Sequence, residues 1–267
     1  MYVVRSGGSL SRHIQVILMV LSRRQKLAII PLLFYWSAIF VLSHIPIPQM
    51  FLGNIPASDK TLHFLAYLIL SFLLWLAVSP DKKVNWRKAT VWWVLFAVVW
   101  YGVFDEWLQG YVGRNPDIKD FFADLAGALT GLVLLSVFSF WPASIVLTGA
   151  IIFVLTNFMQ AGLAEQLPMI SAAFYLFAHV FFSLLWTRYM YHCLPIRAPQ
   201  TRWLAGALAV PVGFLLTVEL FCVVAGSGFS LSRIVISAIG IAAVVITIYL
   251  TALFRPSLAK KISSDES

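Results

Sequence analysis

Apolar residues fill this chain in long unbroken runs, and its polar positions gather at the ends of those runs. Neither the strict alternation of a half-buried strand nor the narrow apolar stripe of a soluble helix is present over these runs. A helix that crosses ~30 Å of hydrocarbon needs roughly 20 apolar residues. Eight stretches approach that length: residues 26–44, 61–79, 89–109, 120–140, 143–160, 170–189, 203–225 and 232–254. The pattern predicts an all-α, polytopic helical membrane bundle of about eight transmembrane helices.

Composition sharpens this reading: 61% of the residues are hydrophobic and 11% charged, against roughly 25% charged in soluble domains. The net charge of +8 is mostly topological. Lysine and arginine resist translocation and collect on the cytoplasmic side. With the N-terminus inside, fifteen of them fall on inner segments, and only Lys60, Arg114, Lys119 and Arg233 on outer ones. Both termini are therefore expected in the cytoplasm, and no nucleic-acid partner is implied.

In residues 1–25 the short apolar run Ile14 to Leu21 leads into Ser22-Arg23-Arg24 rather than a small-residue cleavage site, so an uncleaved cytoplasmic segment is expected. Residues 26–140 form one four-helix region and 141–254 a second, and 255–267 are expected to be a cytoplasmic tail, disordered from Lys260 to Ser267. Trp75, Trp86, Trp92, Trp93, Trp141, Trp186 and Trp203 sit toward the predicted inner boundary, where an indole anchors. Cys193 and Cys222 fall at opposite membrane depths, which excludes a disulfide between them.

Five of the eleven acidic residues, Asp105, Glu106, Asp117, Asp120 and Asp124, lie within twenty positions of one another. Carboxylates near hydrocarbon cost several kcal/mol unless paired, hydrated or metal-bound, so such a cluster is a functional-site hypothesis. His63 and Tyr67 open the second span at spacing i, i+4, on one helical face. Tyr101, Asp105 and Gln109 share a face at the outer end of the third. In the fourth, Asp117, Asp120, Asp124, Gly127 and Gly131 fall on one stripe at 100° per residue. Asp117 and Asp120 suit helix capping, Asp124 lies too deep for it, and Gly127 and Gly131 suit close helix packing. Three helices thus deliver polar groups to one depth. Asp105 and Glu106 diverge by about 100°, so that one can face the bundle while the other pairs with Arg114 or reaches the interface.

The runs Asp59-Lys60-x-x-His63-x-x-x-Tyr67, Asp105-Glu106-x-x-Gln109 and Arg114-x-x-Asp117-x-x-Asp120-x-x-x-Asp124-x-x-Gly127-x-x-x-Gly131 together resemble the VanZ-like family of bacterial membrane proteins over about residues 26–140. Asp124 departs from the pattern, since the family often has asparagine there. The resemblance implies a bacterial inner-membrane protein, in a family whose namesake is associated with low-level teicoplanin resistance. It carries no established biochemical activity and does not extend to residues 143–254.

These residues support three readings. In the first, an enzyme acts on a lipid-linked or envelope substrate at the outer leaflet. His63, Asp105, Glu106, Asp120 and Asp124 are its candidate catalytic groups, and Tyr67, Gln109, Arg114 and Asp117 its candidate substrate-binding ones. Arg114 suits an anionic group, and a divalent cation could bridge two carboxylates. In the second, a non-enzymatic binder or transporter holds a cation or proton with the acids and His63 while the second half supplies a path, supported best by Glu219, a residue otherwise accounted for by protonation and a hydrogen bond to a neighbouring helix through Asn157. His179 is expected to be a neutral packing residue. In the third, the cluster only staples helices. Leu68 to Val78, Val91 to Trp100 and Leu132 to Phe140 carry almost no polar side chains, which argues against a path across the first half.

Overall fold

The computed structural model describes residues 22–44, 58–80, 82–112, 117–160, 168–226 and 228–265. Among them every long element is helical: α1 (Arg23–His44), α2 (Ser58–Val78), α3 (Ala89–Gln109), α4 (Ile118–Val137), α5 (Phe140–Gln160), α6 (Pro168–Cys193), α7 (Thr201–Val224) and α8 (Leu231–Asp265), with a short 3-10 turn at Gly110–Val112. All eight are long and apolar enough to cross a membrane. The protein is thus a multi-pass membrane protein. Large apolar side chains such as Trp93, Phe96 and Trp100 point outward from α3, the arrangement expected of a helix wetted by lipid.

The helices form two compact units that divide between Phe140 and Trp141. In the first, α4 packs most extensively on α2, and the cause is the absence of two side chains. A Cβ on Gly127 would lie 2.2 Å from the Phe64 carbonyl oxygen, and one on Gly131 2.2 Å from Ser71 Oγ and 2.8 Å from the Leu68 carbonyl oxygen. Small residues at membrane helix contacts allow this approach. α1 lies against α2 through Leu32 and the Tyr35 hydroxyl, which donates to the Ala66 carbonyl at 3.0 Å. At the opposite end from the acidic cluster, the α2–α3 connection is fastened by Trp75 Nε1 to the Lys82 carbonyl (2.9 Å) and by the Val84 N–H to the Leu135 carbonyl (3.0 Å).

In the second unit α8 packs on α6 and α7 around Met190, Trp203, Ala207, Leu215 and Ile241. Two expectations are corrected here. Trp75 and Trp203 are core residues, each about 3% exposed: depth along a helix does not say which way a ring points. α8 continues to Asp265, where the sequence predicted a disordered tail; Leu258, Ala259, Lys260 and Lys261 are strong helix formers and prolong the span after its apolar run ends. The segment 1–21 lies outside the described residues.

The glycine contacts generate a stability prediction. Gly127→Ala and Gly131→Ala should each destabilise the protein by about 2 kcal/mol or more, since overpacking typically costs 1–3 kcal/mol and here the obstacles include rigid backbone. Gly213, with nothing within 4 Å of its Cβ position, is the control: alanine there should be neutral or stabilising by up to about 1 kcal/mol. Thermal melts of the detergent-purified variants check this, and equal melting points for all three would refute the packing account.

Candidate functional site

The beginnings of α2 and α4 and the ends of α1 and α3 meet at one end of the first unit. Asp117 caps α4 from an extended backbone, its Oδ1 accepting from the Lys119 N–H at 2.9 Å. Its Oδ2 accepts from Lys60 Nζ at 3.0 Å, and the same ammonium reaches Asp120 Oδ1 at 3.2 Å. The Lys119 N–H first, and then the Lys60 ammonium, hold the Asp117 carboxyl below its usual range. This is the wet edge of the site, with the Lys60 and Asp117 side chains 42% and 39% exposed.

One turn deeper everything is buried. His63 Nδ1 lies 3.0 Å from Asp124 Oδ1; His63 is 9% exposed and Asp124 2%. Asp124 Oδ2 has no hydrogen-bond partner, nor has Glu106 Oε1, nor the Tyr67 hydroxyl. Gly102 of α3 faces this group, since a Cβ there would stand 3.3 Å from Asp124 Oδ2 and 3.6 Å from the Tyr67 hydroxyl. Glu106 Oε2 accepts from the Asp117 N–H at 3.3 Å. Asp105 Oδ1 accepts from Ser43 Oγ at 2.8 Å, and its Oδ2 from Gln109 Nε2 at 3.0 Å. His63, Glu106 and Asp124 each offer a ligand atom within 4.8 Å of the others, and so do Asp59, His63 and Asp120.

The sequence-derived set therefore converges, with two differences. Asp105 and Glu106 are both buried; they diverge as expected, but toward α1 and the start of α4 rather than one inward and one outward. The site also draws on four helices, not three, because α1 contributes Ser43 and His44, whose Nδ1 is 3.8 Å from Asp105 Oδ1. Their place at the outer end of the first span was the available signal. Lys60, which the sequence places on an outer segment and in the Asp59-Lys60-x-x-His63 run, is the countercharge of Asp117 and Asp120. Arg114 lies outside the described residues.

Residues 9–139 match the family model described as VanZ/LLP1. The first half of the chain belongs to that family. No curated protein matches the chain, and no solved structure does. The shared pattern of the VanZ-like half, from Asp59 to Gly131, thus coincides with the α2–α3–α4 corner in which the acids, His63 and the close glycine contacts are found.

Outside the VanZ-like half, Glu219 is ion-paired. Arg233 of α8 holds both its oxygens, Nη2 to Oε2 at 2.7 Å and Nε to Oε1 in a short contact, and both residues are buried. Arg233 rather than Asn157 is its partner; Asn157 Nδ2 instead donates to the Phe153 carbonyl at 2.7 Å. Arg233 also lies over the Tyr175 ring at 5.8 Å. His179 packs within α6, its Nδ1 donating to the Tyr175 carbonyl at 2.9 Å. Ser171, Tyr175, His179, Ser183 and Thr187 form a buried stripe at i, i+4 spacing, a periodicity that could have been read from the sequence.

Two measurements bear on these ion pairs. Because the folded Asp117 pKa is depressed, its contribution to stability is present above the unfolded value of about 4 and is lost as pH falls through the lower folded value. Asp117→Asn should therefore melt below wild type at pH 7, and the gap should close under acid; a gap unchanged down to pH 3 would contradict this. For the buried pair, Glu219→Gln alone should cost about 3–5 kcal/mol by stranding a buried guanidinium, whereas Glu219→Leu combined with Arg233→Met should cost far less. A cycle of Glu219→Leu, Arg233→Met and their combination, read by thermal melting, measures the coupling, and simple additivity would count against the pair.

Proposed function

We propose that the VanZ-like half is a membrane-embedded acid–base site, opening to the outer face of the bacterial inner membrane, that acts on a lipid-linked cell-envelope substrate. Both termini are cytoplasmic in this reading, on the strength of the lysine and arginine distribution. The observation that carries it is the buried His63–Asp124 pair. With Nδ1–H donated to Asp124, the imidazole keeps Nε2 free to take a proton from a water or hydroxyl, while Asp124 fixes the tautomer and stabilises the imidazolium that forms. Glu106, on the neighbouring helix with one oxygen unengaged, is the group to return a proton. Lys60 at the wet edge suits the anionic headgroup of an envelope precursor, as does Arg114 by its residue type. Membrane lipids are the expected surroundings, and the family's association makes glycopeptide susceptibility a phenotype to measure.

A second reading is favoured by the burial itself. Lys60 with Asp117 and Asp120 joins α2 to α4, and Ser43 with Asp105 and Gln109 joins α1 to α3, so these polar residues could simply tie helices together. Near-isosteric substitutions separate the two. His63→Gln, Glu106→Gln, Asp120→Asn and Arg114→Lys should each abolish the change in lipid-resolved membrane profile, or in teicoplanin susceptibility, at normal protein levels. Asp124→Asn should be milder, because its amide oxygen can still accept from His63 and asparagine is common here in the family. A wild-type phenotype in all four variants would reject a chemically active site and leave the staple.

A further inference from the structure

We propose that His63, Glu106 and Asp124 bind one divalent cation, for which Mn2+ is a suitable probe; this goes beyond the acid–base reading of the same site, because with an ion bound His63 and Glu106 serve as ligands and not as proton carriers. The three side chains come from α2, α3 and α4 and offer ligand atoms that all lie within 4.8 Å of one another. Ligands held at about 2.1 to 2.5 Å from one ion are up to about 5 Å apart, so a single ion reaches all three. The second observation is independent of their clustering. Asp124 Oδ2 and Glu106 Oε1 are buried without a hydrogen-bond partner, in a structure where other carboxylates of the site are engaged at both oxygens: Asp105 by Ser43 and Gln109, Asp117 by Lys119 and Lys60. A buried, unengaged carboxylate oxygen is costly, and two converging beside an imidazole are what a cation would satisfy.

The alternative set, Asp59, His63 and Asp120, is weaker, because Asp120 Oδ1 already accepts from Lys60. Imidazole with two carboxylates suits manganese or zinc better than calcium or magnesium, whose sites are built from oxygen.

The test uses the full chain in detergent or lipid nanodiscs, stripped with chelator and titrated with Mn2+ while free ion is followed by electron paramagnetic resonance. One Mn2+ per chain is expected, displaced by Zn2+. Asp124→Asn and Glu106→Gln should each weaken binding at least tenfold, with melting curves verifying that both variants are folded, and Asp59→Asn should leave it unchanged. Bound metal should raise the melting temperature of wild type and not of a variant carrying both Asp124→Asn and Glu106→Gln. Absence of stoichiometric binding, or affinities equal to wild type in both triad variants, would overturn the proposal; loss of binding in Asp59→Asn alone would overturn this ligand assignment. Binding is read without substrate, so the two readings fail separately. A chain that binds Mn2+ yet leaves the lipid profile unaltered overturns the acid–base function, and one that alters the profile while binding no metal overturns only this inference.

Discussion

The site depends on a backbone contact that contains none of its chemistry. Gly127 brings α4 so close to α2 that a single methyl group would strike the Phe64 carbonyl. Phe64 is the neighbour of His63, and Asp124 lies one turn before Gly127. Side chains as short as aspartate and histidine can meet at 3.0 Å across two helices only where the helix axes approach this nearly. Lipid tails are as apolar as leucine, so the approach is held by packing and hydrogen bonds rather than by a hydrophobic driving force. Precision at His63 and Asp124 is thus a consequence of what is missing at residues 127 and 131.

Depth then sorts the acids. At the entrance to α4, Asp117 and Asp120 share a lysine and a helix N-terminus, each able to stabilise a carboxylate next to water. One turn further in, neither device reaches Asp124. The gradient runs along one stripe of α4, from acids engaged by fixed positive groups to an acid with an imidazole on one oxygen and nothing on the other. A pure staple would be expected to close that last valence, as it does for Asp105.

Much of this was legible in the sequence because helical geometry is local. Apolar runs of span length fix eight helices, and offsets of four, seven and ten fix which side chains share a face, so His63 with Tyr67 and Asp124 with Gly127 could be anticipated. Lateral neighbours are a different kind of information. Ser43 and His44 sit at the right depth, but nothing in the spacing says that α1 rather than another helix lies beside Asp105. Lys60 and Arg233 were counted for membrane topology, a property of charge alone, whereas each is held by a carboxylate from another helix. Trp75 and Trp203 occupy the expected depth and turn inward, a choice set by the neighbouring helices rather than by their own position.

The two units handle buried charge in opposite ways, and the contrast bears on which of them holds a site. In the second unit the planar guanidinium of Arg233 meets both oxygens of Glu219 and also covers the Tyr175 ring; the charge and both carboxylate oxygens of Glu219 are satisfied within the protein. Such a pair holds helices in register. In the VanZ-like unit the corresponding carboxylates are left with oxygens that the protein itself does not engage, at the meeting point of three helices and one turn below the exposed lysine. Satisfied polar groups rigidify a fold, whereas buried groups held unsatisfied by a rigid backbone are binding energy not yet used. On that physical ground His63, Glu106 and Asp124 are the proposed functional centre, and the Glu219–Arg233 pair is read as architecture.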